Sequence, residues 1–249
     1  MKYELLRNCC HGSHIYTFYI EDGDNKFYLK TASSHDALEN LINEYNGWKW
    51  YSGFNKNLKR NPSKYQFITK EYIRLKIDFL SGNKINIKNG IYKNYNYFLK
   101  IIQHYKEIWG TKKNKVPMHG DLSLENILFY KDKVYFIDWE HFKDKSTYWG
   151  FDIYYLLFET LWFCWSKFNK SINKEIYHLS LLIKMLIAND KKTLHNNNYK
   201  LETLKVFISK NKNLWSKQLE RNPDKLPLLK FSNQDVKYID DLILEYIKN

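Results

Sequence analysis

Cysteine is scarce in this chain: there are three in 249 residues, two of them the neighbours Cys9 and Cys10. That fits neither a disulfide framework nor the paired spacing of zinc ligands, so a reducing, cytoplasmic setting is expected. The N-terminus opens Met1-Lys2-Tyr3-Glu4 and reaches no apolar run of signal-peptide length. No stretch approaches the roughly 20 apolar residues of a membrane span either. The expectation is a soluble, unexported protein. The most apolar segment, Phe151 to Trp165, contains Asp152 and Glu159. It is too short to cross a bilayer, although its aromatics would tolerate peripheral membrane contact, and a buried helix is the simpler reading. Internal repeats are lacking, and so is a long basic block. The formal charge of +13 comes largely from Lys scattered among Asn, Ile and Tyr. With no clustered basic face and no reading motif, nucleic acid is not an expected partner. The excess charge suits nucleotide phosphates, an acidic glycan or a phospholipid surface without choosing among them. Nothing in the chain marks an oligomeric state.

What is present is enough apolar material for an ordinary core, 44% hydrophobic against 27% charged residues, in one domain or two lobes. Ile15 to Ile20 and Lys26 to Thr31 alternate like strands around the turn sequence Glu21-Asp22-Gly23-Asp24-Asn25, which predicts a hairpin. Leu38, Leu41, Ile42 and Tyr45 recur at helical spacing between Asp36 and Tyr51, behind Ser33 and Ser34. After a loop rich in Asn, Lys and Pro, Tyr65 to Ile73 reads as a further strand, and the first lobe is expected to close at residue 71. Residues 72–249 form the second. Phe98, Ile101, Ile102, Tyr105 and Ile108 predict an amphipathic helix from Tyr95 to Trp109, with Gly110 where it would stop. Leu124 to Tyr130 and Val134 to Ile137 predict a second hairpin about Lys131-Asp132-Lys133. From about Thr147 onward the chain reads as mostly helical, with a loop at Asn196-Asn197-Asn198.

The most informative residues are His119-Gly120-Asp121-Leu122-Ser123-Leu124-Glu125-Asn126 and, a dozen residues later, Phe136-Ile137-Asp138-Trp139-Glu140. Phosphoryl transfer needs a carboxylate to orient the attacking hydroxyl and accept its proton, and oxygen ligands to hold magnesium against the triphosphate. Asp121 suits the first task. Asn126 and Asp138 suit the second, because a hairpin brings its two ends together.

The pattern His-x-Asp-x-x-x-x-Asn followed by apolar-apolar-Asp resembles the catalytic and metal-binding loops of the protein-kinase-like superfamily. His119-Gly120-Asp121 and Ile137-Asp138-Trp139-Glu140 are similar to the signatures of its small-molecule branch, the aminoglycoside phosphotransferases and choline or ethanolamine kinases. The resemblance implies an α+β, two-lobed kinase-like fold with a small β-rich N-lobe and a mainly helical C-lobe, using ATP and Mg2+. It implies the general base for Asp121, magnesium ligands in Asn126 and Asp138, and a loop-shaping place in the catalytic segment for His119. Asp152 resembles the family's buried acid behind the catalytic loop. In the first lobe Lys30 resembles the lysine that contacts the α and β phosphates, paired with Glu44, with Glu39 the alternative partner. Gly12 and Ser13, with His14, stand where a phosphate cradle would lie, and Thr69-Lys70-Glu71-Tyr72 resembles the hinge whose backbone binds adenine.

Two departures bear on the substrate. Gly120 replaces the Arg by which protein kinases bind a phosphorylated activation loop, and the interval from Asp138 to Asp152 has no room for such a segment and no Ala-Pro-Glu. The expected acceptor is therefore a hydroxyl on a small polar metabolite or sugar, with cell-surface glycan synthesis as one setting. Choline, ethanolamine and aminoglycosides are the alternatives. The rival from another class is a catalytically inactive binding module, which predicts loss of the base or a metal ligand, and none is missing. The aromatic run from Tyr148 to Trp165 suggests a core stripe more than a cage for a quaternary ammonium.

Overall fold

The computed structural model describes residues 1–7, 15–54, 66–69, 72–78, 82–110, 115–168, 171–188, 203–218 and 227–248. They form a mixed α+β protein, with a small antiparallel sheet toward the N-terminus and helices toward the C-terminus, in two compact units. The first comprises Met1–Gly82, Lys115–Gly120 and Ile137–Thr147, and the second comprises Asn83–Asn114, Asp121–Phe136 and Tyr148–Asn249. The boundary expected after residue 71 falls elsewhere, because the sheet continues past it and two later segments return to the first unit.

In the first unit, β1 (Lys2–Arg7), β2 (Ile15–Asp22), β3 (Asn25–Ala32), β4 (Gln66–Thr69) and β5 (Tyr72–Asp78) form one antiparallel sheet in the order β1-β2-β3-β5-β4. The β2–β3 register closes at Asp22 opposite Asn25. That leaves a two-residue loop in which Gly23 takes a φ of 59° that most side chains resist. The segment expected to be one strand from Tyr65 to Ile73 is two, with Thr69 paired to Tyr72. Thr69 and Tyr72, from the stretch expected to be a hinge, are paired with each other in the sheet, and Lys70 and Glu71 between them lie outside the described residues.

Helix α1 (His35–Phe54) starts where Ser34 accepts from two amides, Ala37 N at its hydroxyl (3.3 Å) and Leu38 N at its carbonyl (3.0 Å). Ala37, Leu41, Glu44, Trp48 and Tyr51 make its buried stripe at helical spacing, and the helix packs on β3 and β5. The short pair β6 (Val116–Met118) and β9 (Lys143–Thr147) completes the unit.

In the second unit, α2 (Gly90–Lys93) leads into α3 (Tyr95–Trp109), whose buried face is the one its apolar spacing predicts. Gly110 ends it at φ 60°, donating to the Lys106 carbonyl at 3.0 Å. The hairpin β7 (Ile127–Tyr130) and β8 (Lys133–Phe136) packs on α3, while Leu124–Asn126 is a 3-10 turn rather than strand. Four longer helices follow: α4 (Phe151–Ser166), α5 (Ile172–Ala188), α6 (Leu204–Gln218) and α7 (Asn233–Lys248). Helix α4 is buried on nearly every side, as its aromatic density requires. Tyr154, Phe158 and Phe207 pack ring against ring, so this run is core.

Buried carboxylates satisfy two helix starts. Asp240 accepts from the amides of Leu204 and Lys205 at 2.7 and 3.1 Å. Glu175, 3% exposed, accepts from those of Ile91 and Tyr92 at 2.6 and 3.0 Å. A Cβ on Gly90 would fall 2.6 Å from the same carboxylate, which explains glycine there. Replacing Glu175 with Ala strands two amides and should cost about 2–3 kcal/mol in urea unfolding. Lys237→Ala, which breaks only an exposed pair with Asp241, should stay within about 0.5 kcal/mol.

Candidate functional site

Lys30 lies on β3 with its side chain turned into the first unit, and an ammonium 7% exposed cannot stay there unpaired. Its Nζ donates to Glu44 Oε2 at 2.7 Å, Asp138 Oδ1 at 2.6 Å and Glu140 Oε1 at 3.1 Å. Glu44 comes from the buried stripe of α1. The other two come from the segment that follows Ile137, more than a hundred residues along the chain. Glu39, the alternative partner for Lys30, instead takes Lys143 at 3.1 Å.

Alternation explains the later segment. Asp138 and Glu140 both reach Lys30, while Trp139 between them goes the other way, fully buried against Tyr51 (ring centroids 5.1 Å apart) and Trp50 (5.9 Å). A Cβ on Gly47 would sit 2.6 Å from Trp139 Cβ, so the absence of a side chain there lets α1 approach. Asp138 adopts φ 65°, a conformation unusual outside glycine and held here by its ion pair.

One cation faces three carboxylates, and the electrostatics follow from that imbalance. Burial alone would pull Lys30 down, but Asp138, Glu44 and Glu140 outweigh it and hold the ammonium well above the ordinary lysine range. Burial pushes Glu44 up to about 8, with Lys30 opposing and the carboxylates of Asp138 and Glu140 reinforcing it. Oxygens of Glu44, Asp138 and Glu140 lie within 4.8 Å of one another, a hard-donor set suited to a divalent cation such as magnesium.

His119, also in the first unit, is fully buried; its Nε2 is 2.9 Å from the Ile137 carbonyl and its ring 4.4 Å from that of Trp139. It therefore ties the residue two before Asp121 to the residue just before Asp138, a structural task. Gly120 takes φ 85°, and a Cβ there would lie 2.5 Å from the His141 carbonyl oxygen. Arg is excluded at this position by space as well as by backbone conformation.

In the second unit, Asp121 and Asn126 belong to one turn. The Asp121 carbonyl accepts from Ser123 N at 2.9 Å and from Asn126 Nδ2 at 2.8 Å, and Asp121 Oδ2 is 3.5 Å from the same amide nitrogen. Asn126 is buried and Asp121 half-buried. Asp152 is 1% exposed in the first turn of α4. Gly12, Ser13, His14 and Glu71 lie outside the described residues, and Tyr72 is placed only by its backbone in β5. The sequence motif gives Glu140 no task of its own, and its signal there is the two-residue step from Asp138.

The sequence matches no protein-family model and no curated protein. Among solved structures, the kinase PK-1 of Cydia pomonella granulovirus is similar at 13% identity over 97% of this chain and 87% of that one, with a TM-score of 0.37.

The raised Glu44 makes stability depend on pH in a stated direction. Its folded pKa of about 8 lies above the ordinary 4.5, so its contribution is complete below about 4.5, declines as pH rises and is gone above about 8. Urea midpoints measured from pH 5 to 9 should fall across that window in the wild type, by about 2–4 kcal/mol in free energy. Glu44→Gln should remove that fall. Parallel profiles for the two proteins would contradict the assignment.

Proposed function

We propose that this chain has a kinase-like fold and transfers the γ-phosphate of ATP to a hydroxyl of a small polar metabolite or sugar. The observation that carries the reading is the buried Lys30 paired with both Glu44 and Asp138. A lysine that is to hold nucleotide phosphates must be kept charged, desolvated and fixed in direction, and two carboxylates from separate segments do all three. The reading takes its other roles from the sequence pattern. Asp121 orients the acceptor hydroxyl and receives its proton, and the amide of Asn126 braces the loop through the Asp121 carbonyl while its oxygen is a metal ligand. Asp138 is the second ligand, and the hard oxygens clustered around it fit magnesium. Bound magnesium would supply charge neutralisation on the phosphates.

The interval from Asp138 to Asp152 leaves no room for a long activation segment, and Gly120 admits no side chain to read a phosphorylated one. These support a small acceptor. Small polar metabolites and sugars, those of cell-surface glycans among them, are our leading class, and choline, ethanolamine and aminoglycosides are the alternatives to test beside them.

A coupled ADP-release assay with Mg-ATP against that panel is the direct test. Asp121→Asn should fold and bind nucleotide as the wild type does, while turnover drops about 10²- to 10⁴-fold. Retained turnover removes Asp121 from the mechanism. Asp138→Ala should abolish the magnesium-dependent part of the thermal shift given by ATP, and an unchanged shift would contradict its role. An inactive binding module predicts no turnover and no magnesium-dependent shift at all.

A further inference from the structure

The second unit contains a cavity of about 310 Å³ bounded by the residues just before α2, by α3 and by the turn of the β7–β8 hairpin. Seven of its eleven lining residues are Asn or Lys. Lys84, Lys100 and Lys131 come from three separate segments, and the only acidic residue in the lining, Asp132, is already paired with Lys100 at 2.8 Å. The cavity thus carries two positive charges beyond its own neutralisation.

Its frame is braced rather than loose. Asn83 and Phe129 exchange backbone hydrogen bonds of 2.8 and 2.9 Å, and Asn94, 3% exposed, donates its amide to the Asn86 carbonyl at 3.0 Å. Tyr97 stands edge-on to Phe129 at 5.0 Å, yet 46% of it is exposed. The hairpin turn places Lys131 and Asp132 at φ 47° and 63°, where Asn and Gly are the usual occupants. Non-glycine residues in that conformation are strained, and such outliers are informative where they present functional side chains.

The lining has the chemistry to receive a polyhydroxylated anion. Side-chain amides offer donors and acceptors together, which match hydroxyls, lysines match carboxylate, sulfate or phosphate groups, and an exposed tyrosine ring matches the C–H face of a sugar. A peptide groove would be lined mainly by apolar side chains, and here Ile85, Tyr97 and Phe129 are outnumbered by Asn, Lys and Asp. We infer that this cavity is a binding site for an acidic oligosaccharide. It stands at the Tyr130 end of β7, about 15 Å along the chain from Asn126 at roughly 3.3 Å per residue. It is therefore a place apart from the Asp121–Asn126 turn, and a ligand reaching both would span more than one sugar ring.

The test is calorimetric titration of the whole protein at 150 mM salt with a heparin-derived tetrasaccharide, the neutral maltotetraose and inorganic phosphate. Lys84→Glu with Lys131→Asn, the asparagine being chosen for its tolerance of the left-handed turn position, should weaken heparin tetrasaccharide binding at least tenfold. A charge-matched pair elsewhere in the same unit, Lys212→Glu with Lys248→Asn, should change it less than twofold. Tyr97→Ala should also weaken it, maltotetraose should bind far less tightly, and phosphate should not displace the tetrasaccharide. No binding by the wild type, equal loss in both double variants, or displacement by phosphate would overturn the proposal. The titration uses no nucleotide and reads no turnover, so its failure and the failure of the phosphotransferase reading are separate results.

Discussion

The buried ammonium of Lys30 is the constraint around which the first unit is organised. Removing such a charge from water costs several kcal/mol, and the cost is offset only if carboxylates are held at contact distance. Three are, and they come from α1 and from the segment that follows Ile137, so β3, α1 and that segment cannot separate without exposing an unpaired charge. Packing and electrostatics reinforce each other here. Trp139 locks its segment against α1 at Gly47, and that contact aims Asp138 and Glu140 at the lysine on the opposite side. The same arrangement buries Glu44, and burial, reinforced by the carboxylates of Asp138 and Glu140 and opposed by Lys30, is why it titrates so far from an ordinary carboxylate.

Much of this was legible in the sequence wherever a single periodicity dominates. The apolar stripe of α3 and the β2–β3 hairpin announce themselves through spacing and through a glycine in the turn. The division between β4 and β5 did not, because no Gly, Pro, Asn, Asp or Ser stands between Thr69 and Tyr72 in the sequence, and so two strands read as one. The β6–β9 pair was hidden for another reason. Val116-Pro117-Met118 is too short to alternate, and Lys143–Thr147 is polar, so their pairing is imposed by the fold rather than by local preference. In the first unit the pairing of Lys30 with Glu44 was readable, and the choice of Glu44 over Glu39 follows from its place on the buried stripe of α1. The partnership of Glu140 with Lys30 could have been seen only by asking which residues share a side with Asp138.

Charge shows the opposite limit. Read linearly, the lysines are scattered, and scatter normally means a solvated surface. Folding gathers Lys84, Lys100 and Lys131 around one cavity from three segments that no window on the sequence would join. The excess of +13 is thus a poor guide to partners as a total and a useful one only after the chain has decided which lysines meet.

Backbone strain needs the same discrimination. Among the described residues, four other than glycine have positive φ: Lys131, Asp132, Asp138 and Lys145. Lys145 is exposed in β9, whose register with β6 is irregular, and its conformation is accounted for by that irregularity alone. Asp138 differs because its carboxylate is gripped by Lys30, so the backbone conformation and the side-chain position are held by one interaction. Asp132 pairs with Lys100 across an exposed contact, while Lys131 beside it has its ammonium 5.2 Å from the ring of Tyr130. Strain marks a site, on this comparison, where the strained residue's side chain is also fixed and faces chemistry it can serve. That condition separates Asp138 and the β7–β8 turn from Lys145, although all four residues share the same region of backbone conformation.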